Sequence, residues 1–216
     1  MNVSEAVTSR RSIRAFLPTP IDDGVVRQLL DTARRAPSGG NVQPWRTYVL
    51  NGESMQRFRS FIATRQPGAP AYDIYPKSLG EPYRSSRFKV GEDMYALIGI
   101  GRDDKAGRLA QFAKNLDFFG APAAIFCFID EQMGPPQWSD CGMFLQTFML
   151  LVQEAGLGSC AQEAWAVHQD AVREFTSAPE HWKLFCGVAF GHPDWGHPIN
   201  QLVSDREPLE TVATFL

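Results

Sequence analysis

Three arginines crowd one serine near the start of the chain. In SRRSIRAF, Arg10, Arg11 and Arg14 surround Ser12, just after a short helical stretch. Guanidinium forks donate paired hydrogen bonds to phosphate oxygens and a serine hydroxyl adds another, so this spacing can make a phosphate clamp. The competing reading is a solvated basic face paired with acidic neighbours. A second cluster lies in APSGGNVQPW, Ala36 to Trp45. Its prolines and glycines impose a sharp loop, in which Ser38, Asn41 and Gln43 offer hydroxyl and amide groups suited to a ribityl chain or the edge of a heteroaromatic ring. A plain helix-to-strand turn with Ser38 and Asn41 capping backbone groups is the alternative.

Other chemistries are weaker. HPDWGH places His192, Asp194 and His197 in one run, the residue types of a two-histidine, one-carboxylate iron site. Side chains so close together in a proline-bounded turn do not converge on one ion, so no metal is expected. Cys127, Cys141, Cys160 and Cys186 are widely spaced in apolar contexts and read as reduced, buried thiols. No G-x-S-x-G elbow or Walker-type loop is present, and GIGRDD from Gly99 to Asp104 lacks the third glycine and the preceding strand of a dinucleotide fingerprint. A net charge of -3 gives no general attraction for nucleic acid or anionic membrane. The N-terminus has no apolar signal region, Glu5 argues against a mitochondrial presequence, and no apolar run reaches the ~20 residues of a spanning helix, so a cytosolic location is expected.

The elements that must position these groups are partly visible. With 216 residues, 44% hydrophobic and 21% charged, the chain suits one globular domain over residues 1–216. Val25, Val26, Leu29, Leu30 and Ala33 follow helical spacing, predicting an amphipathic helix over Asp22–Ala36 with an aspartate N-cap and Pro37 as its end. Helices are also predicted over Asp103–Phe119 and Ser139–Ala155, the latter stopped by Gly156. It is apolar around most of its circumference, which places it at the centre of the fold or, by preference, at an oligomer interface. Thr47–Leu50, Ala123–Ile129, Ser159–Trp165 and Leu184–Phe190 read as strands, the second and fourth without polar alternation. Gln66–Arg87, rich in Pro, Gly and Tyr, reads as a functional loop or lid. The closing LETVATFL reads as an extended tail that reaches onto a partner. Helices between strands give an α+β class built on a sheet.

The order of SRRSIRAF and APSGGNVQPW, followed by YPKSLGEPYRSSR, NLDFFGAP, GLGSCAQEAW, CGVAFGHPDWGHPIN and SDREPLETVATF, resembles the nitroreductase family along essentially the whole chain, with most likeness to its aromatic nitro-compound reductases. The resemblance implies a nitroreductase-like fold, a central mixed but mostly antiparallel sheet flanked by helices, in an intertwined homodimer with a C-terminal extension onto the partner. It implies FMN as cofactor and NADPH or NADH as donor, with ping-pong transfer of two electrons through flavin N5 to nitroaromatic, quinone or similar small acceptors. Arg10, Arg11, Ser12 and Arg14 then bind the phosphate, ribityl chain and pyrimidine side of the flavin, and Arg206 adds a second phosphate arginine. Pro37, Ser38, Gly39, Asn41 and Gln43 approach from the other chain. Gln162, Glu163 and Ala164 match the strand end whose backbone lies near N5, although the family often has glycine where Ala164 stands. The flavin carries the hydride, so no catalytic acid or base is expected from the protein, and Arg14 is the cation expected to stabilise the reduced ring. Reductive dehalogenation of halophenols and FMN binding without turnover are the alternatives. Tyr75, Lys77, Glu81 and Tyr83 carry residue types that grip a zwitterion in deiodinase-like relatives, and here read as lid residues, with Arg87 as a further contact. Phe118 and Phe119 are candidate substrate-channel residues, whereas Phe144 and Phe148 read as core.

Overall fold

The structure, a computed structural model, describes residues 1–216. In chain order the elements are α1 (Val3–Ser9), α2 (Asp23–Ala33), β1 (Arg46–Asn51), α3 (Glu53–Ile62), α4 (Tyr83–Leu97), α5 (Lys105–Ala113), β2 (Ala123–Asp130), α6 (Pro135–Glu154), β3 (Gly158–Gln162), α7 (Gln169–Thr176), β4 (Trp182–Gly191) and α8 (Leu209–Val212). Short 3₁₀ segments cover Gly39–Asn41, Lys114–Gly120, Glu163–His168 and Pro198–Gln201.

The four strands form one sheet in the order β1-β2-β4-β3. All three ladders are antiparallel, so the expected mixed sheet is corrected: the parallel component is a single bridge, Ser12 to Ser159. The two central strands are buried on both faces, which is why their sequences lack polar alternation. Ile125, Cys127 and Ile129 pack with α2 and α6 on one face, while Ala124, Phe126 and Phe128 meet Phe58 of α3, Trp165 and Val172 of α7 on the other. In β4, Leu184 and Cys186 face opposite sides despite equal parity. The irregularity beside Cys127 and Phe128 skips Phe185 and reverses the alternation.

Local chemistry explains the helix ends. Asn2 and Glu5 bond each other's backbone N–H at the start of α1, Asp22 accepts from the Gly24 N–H at α2, and Gly156 at φ 75° follows the end of α6. Helix α6 is central, as one of the two readings held. Cys141, Phe144, Leu145, Phe148 and Val152 pack inward, leaving Gly142, Met143 and Gln146 on the exposed side.

Several predicted boundaries move. The strand predicted to Trp165 stops at Gln162, because a 3₁₀ segment there drives the Trp165 indole into the aromatic core against Phe58, Phe118 and Phe126. Opposite it, a Cβ on Gly187 would lie 2.4 Å from Trp165, so only glycine fits. The helix predicted over Asp103–Phe119 starts after the Asp104 cap, ends at Ala113, and gives way to a 3₁₀ run with Phe118 and Phe119 at φ 50° and 56°. The Gln66–Arg87 stretch is irregular only to Pro82, and Tyr83–Arg87 open α4. The first half of LETVATFL forms the helical turn α8, so the extended tail is confined to Ala213–Leu216. No helix is long and apolar enough to cross a membrane.

Candidate active site

The arginine segment runs from the end of α1 alongside the edge of β3. The Ile13 N–H donates to the Ser159 carbonyl at 2.9 Å and the Ile13 side chain is buried, which turns the neighbouring polar side chains outward. Asn200, almost wholly buried, locks the segment: its Oδ1 accepts from the Arg14 N–H at 2.8 Å while its Nδ2 donates to the carbonyls of Ala15 (2.7 Å) and Asp194 (2.8 Å). Nothing in the sequence marked Asn200, since a buried amide paired only with backbone leaves no pattern.

Arg10, Arg11, Ser12, Arg14 and Arg206 line a single cavity of about 410 Å³. The structure thus gathers the four N-terminal residues and an arginine from the far end of the chain. No acidic side chain lines this cavity, and none of the four arginines forms an ion pair. The Arg10 guanidinium is held below its ordinary range, first by burial and then by the charge of Arg206. Clustered cations without a counter-ion are costly, and an anion lying among them would offset that cost. The Ser159 hydroxyl nearby is buried without a hydrogen-bond partner. Four guanidinium groups, a serine hydroxyl and an unmet polar atom suit a phosphate.

Arg14 also lines an adjoining cavity of about 480 Å³, together with Cys160, Gln162, Glu163, Ala164 and Phe119. The side chain of Gln162 is already engaged, donating to the Asn115 carbonyl at 2.9 Å and accepting from the Trp165 indole at 3.4 Å, so only its backbone faces a ligand. Glu163 has neither ion pair nor side-chain hydrogen bond, and burial pushes its carboxyl above the usual range. Phe118 is fully buried in the core and does not line the cavity, so of the two expected channel aromatics only Phe119 does. Phe144 and Phe148 are core residues. Tyr75 and Arg87 line the cavity, whereas Lys77, Glu81 and Tyr83 do not. Glu81 instead caps the start of α4, where Ser85 and Arg84 hold its carboxyl low.

The second predicted cluster is shaped but lies elsewhere in the chain. Ser38 Oγ accepts from the Gln43 N–H at 3.0 Å and the Ser38 carbonyl from the Asn41 N–H at 3.0 Å, while Gly40, Asn41 and Gln43 take φ of 58°, 57° and 49°. Two non-glycine residues in the left-handed region of one short loop is a concentration of strain typical of binding sites. Asp140, buried near the start of α6, accepts from the Gly39 N–H at 3.3 and 3.4 Å and tethers the loop. Pro37, Ser38, Gly39, Asn41 and Gln43 line neither cavity within this chain. Asp194 and His197 are spent on their own turn, accepting from the Gly196 and Ile199 N–H groups, and no three metal-ligating side chains gather anywhere.

The largest cavity, an open groove of about 920 Å³, lies away from both sites, between α2 and β1. Val26, Leu30, Trp45, Val49 and Phe144 line it together with polar and charged residues that include Arg27, Asp31, Arg34 and Arg46, and β1 leaves one sheet edge unpaired beside it.

Comparison with known proteins bears on this geometry. The family model described as "Nitroreductase family" matches residues 7–192. A 4-nitrobenzoate reductase of Pseudomonas putida is 37% identical over 212 residues, covering 97% of this chain and 93% of that protein. Among solved structures, the FMN and NADPH-dependent nitroreductase NfnB of Sphigopyxis sp. strain HMH is 45% identical, with a TM-score of 0.96 over 100% of this chain and 99% of that one. The FMN-dependent nitroreductase NfnB of Mycobacterium smegmatis, solved with NADPH, is 26% identical with a TM-score of 0.93, covering 99% and 97% of the two chains.

Proposed function

Because the chain belongs to the nitroreductase family, we propose that it is an FMN-dependent oxidoreductase that takes two electrons from NAD(P)H and passes them, in ping-pong order, to nitroaromatic or quinone-like acceptors. The observation that carries this reading is the acid-free arginine cavity opening onto a second, largely apolar one. Arg10, Arg11, Ser12 and Arg206 would hold the phosphate. Arg14, which borders both cavities, would hold the ribityl chain and the flavin ring and supply positive charge to its reduced form. The backbone of Gln162, Glu163 and Ala164 would support the ring. Bound FMN supplies hydride chemistry that no side chain here can perform. The protein's own part is to orient, to exclude water and to leave an apolar face open, and no residue serves as general acid or base.

The working unit is a homodimer. Its second copy supplies Pro37, Ser38, Gly39, Asn41 and Gln43, a reading supported by their strained loop and by their lining neither cavity of their own chain. The tail Ala213–Leu216 crosses to the other copy and lies along its β1 edge in the 920 Å³ groove. The exposed Phe215 and Leu216 suit the apolar side chains Val26, Leu30, Trp45, Val49 and Phe144 of that groove, which lies beside an unpaired strand. Four free, buried cysteines accord with a reducing cytosol.

The test is spectroscopic. Yellow, FMN-loaded protein mixed anaerobically with NADPH bleaches, and adding a nitroarene restores the colour. Bleaching that oxygen reverses but no nitroarene or quinone does would reject the acceptor class. Absence of bleaching would reduce the protein to a flavin-binding module.

A further inference from the structure

Of the five cations Arg84, Arg87, Lys89, Arg102 and Arg108 on and beside helix α4, three have an acidic partner and two stack on aromatic rings. Arg84 pairs with Glu81 at 2.8 Å, Lys89 with Asp93 and Asp205 at 2.7 Å, and Arg108 with Glu92 at 2.6 Å, while Arg102 lies over the Phe88 ring. Arg87 has no acidic partner and no hydrogen bond. Its guanidinium carbon lies 4.0 Å from the centre of the Tyr75 ring, and both side chains line the 480 Å³ cavity. Stacking occupies the face of a guanidinium but leaves its N–H edge free, and that edge matches a carboxylate in two parallel hydrogen bonds. The cavity holds only two other charged residues: Arg14, assigned above to the cofactor, and Glu163, which forms no ion pair with Arg87. Apart from Asn115, Gln111 and the backbone, the remaining lining is apolar or aromatic, which suits a flat ring with a charged substituent directed to Arg87.

We propose that Arg87, braced on Tyr75, determines acceptor specificity by binding the carboxylate of anionic nitroaromatics such as nitrobenzoates. This rests on the nitroreductase reading, and the reaction itself is unaltered: the carboxylate is a handle remote from the nitro group. Binding energy from the handle lowers KM more than it raises kcat.

The discriminating pair of substrates is 4-nitrobenzoate and its methyl ester, alike in ring and nitro group but not in charge. Steady-state kinetics with FMN-loaded Arg87→Gln should show the ratio of kcat/KM for the acid over the ester falling about ten- to a hundred-fold through KM, the span of a lost charge-assisted pair. Arg87→Lys, which keeps the charge and loses the fork, should fall between, and Tyr75→Leu should lower the ratio less than Arg87→Gln. An unchanged ratio overturns the proposal. So does a loss confined to NADPH, with NADH spared, which would assign Arg87 to the 2′-phosphate of the nucleotide. If wild-type protein bleaches with NADPH yet neither compound reoxidises it, the proposal is overturned, and reoxidation by a quinone or another nitroarene decides the nitroreductase reading separately.

Discussion

Replacing Arg10 with alanine separates a cofactor cradle from an ordinary basic surface, because the two predict opposite signs. Arg10 is half-buried and lacks an acidic partner, and burial and Arg206 both disfavour its charge. Without ligand its guanidinium is therefore a burden, and Arg10→Ala should hold or raise the melting temperature of flavin-free protein. With ligand, a lost charge-assisted contact costs about 1.5–3 kcal/mol, roughly a ten- to hundred-fold rise in the Kd for FMN. At a free FMN concentration of about one hundred times the wild-type Kd, binding stabilises the fold by about 2.7 kcal/mol, and a hundred-fold weaker site leaves about 0.4 kcal/mol. At roughly 2–4 °C per kcal/mol for a chain of this size, the flavin-induced shift should drop from about 5–11 °C to about 1–2 °C. Differential scanning fluorimetry at fixed protein concentration reads both numbers. The control is Arg65→Ala, which removes an exposed pair with Glu174 and a stacking contact with Phe61 and lines none of the cavities described. A full flavin-induced shift in Arg10→Ala, or an equal loss in Arg65→Ala, would refute the cradle.

Three further outcomes follow from the same geometry. Deleting Leu209–Leu216 removes the exposed Phe215 and Leu216, each contributing about 1.5–3 kcal/mol if buried in a partner groove; sedimentation equilibrium should show dimer affinity down by two or more orders of magnitude, and a truncated protein of unchanged affinity would exclude the tail from the interface. Asp140→Ala leaves the Gly39 N–H without its acceptor and should cost about 1–3 kcal/mol in urea denaturation, with Asp140→Asn keeping most of it; an alanine variant of wild-type stability would show that the tether carries no strain. His168 is buried against Trp165 with Nδ1 unpaired, and burial lowers its pKa below 6.5. The folded state therefore binds fewer protons than the unfolded one just below that value, so stability is present above pH 6.5 and falls as pH drops through the folded pKa. His168→Gln should flatten the fall in melting temperature between pH 7 and pH 5, and a slope equal to wild type would assign the acid sensitivity elsewhere.

What the sequence displayed of the fold depended on burial. Helix α2 and strands β2 and β4 were legible because continuous packing stamps a period or an unbroken apolar run on the chain. Helix α3 carries the same kind of signal, with Met55, Phe58 and Ile62 on one face, but the charges of ESMQRFRSFI dilute it. Helix α4 had none to give: no residue in it is buried, and ion pairs and the cavity wall hold it in place. The overrun of β3 has a different cause. Trp165 looks like one more inward strand residue, yet it reaches the core from a 3₁₀ turn, and only the missing Cβ of Gly187 makes room for it.

The site divides along the same line. Arg10, Arg11, Ser12 and Arg14 announce themselves because four polar groups in five residues need an outlet, whereas Arg206 reaches the same cavity from the opposite end of the chain by tertiary folding alone. Asp140 and Asn200 left no trace, since each bonds backbone whose position is known only once the chain is folded. The loop around Asn41 is the instructive case. Its composition marked a binding loop, its geometry carries the strain of one, and its own chain offers it no ligand. Strain of this kind persists where the surroundings over-determine it and is retained where it is used. The unpaired β1 edge, the groove beside it and the exposed apolar tail are unmet demands of the same sort. In the homodimer proposed above a second copy would meet all of them at once, which would make cofactor retention and assembly one equilibrium: whatever weakens the dimer should then release the flavin, and added flavin should tighten the dimer by the same factor.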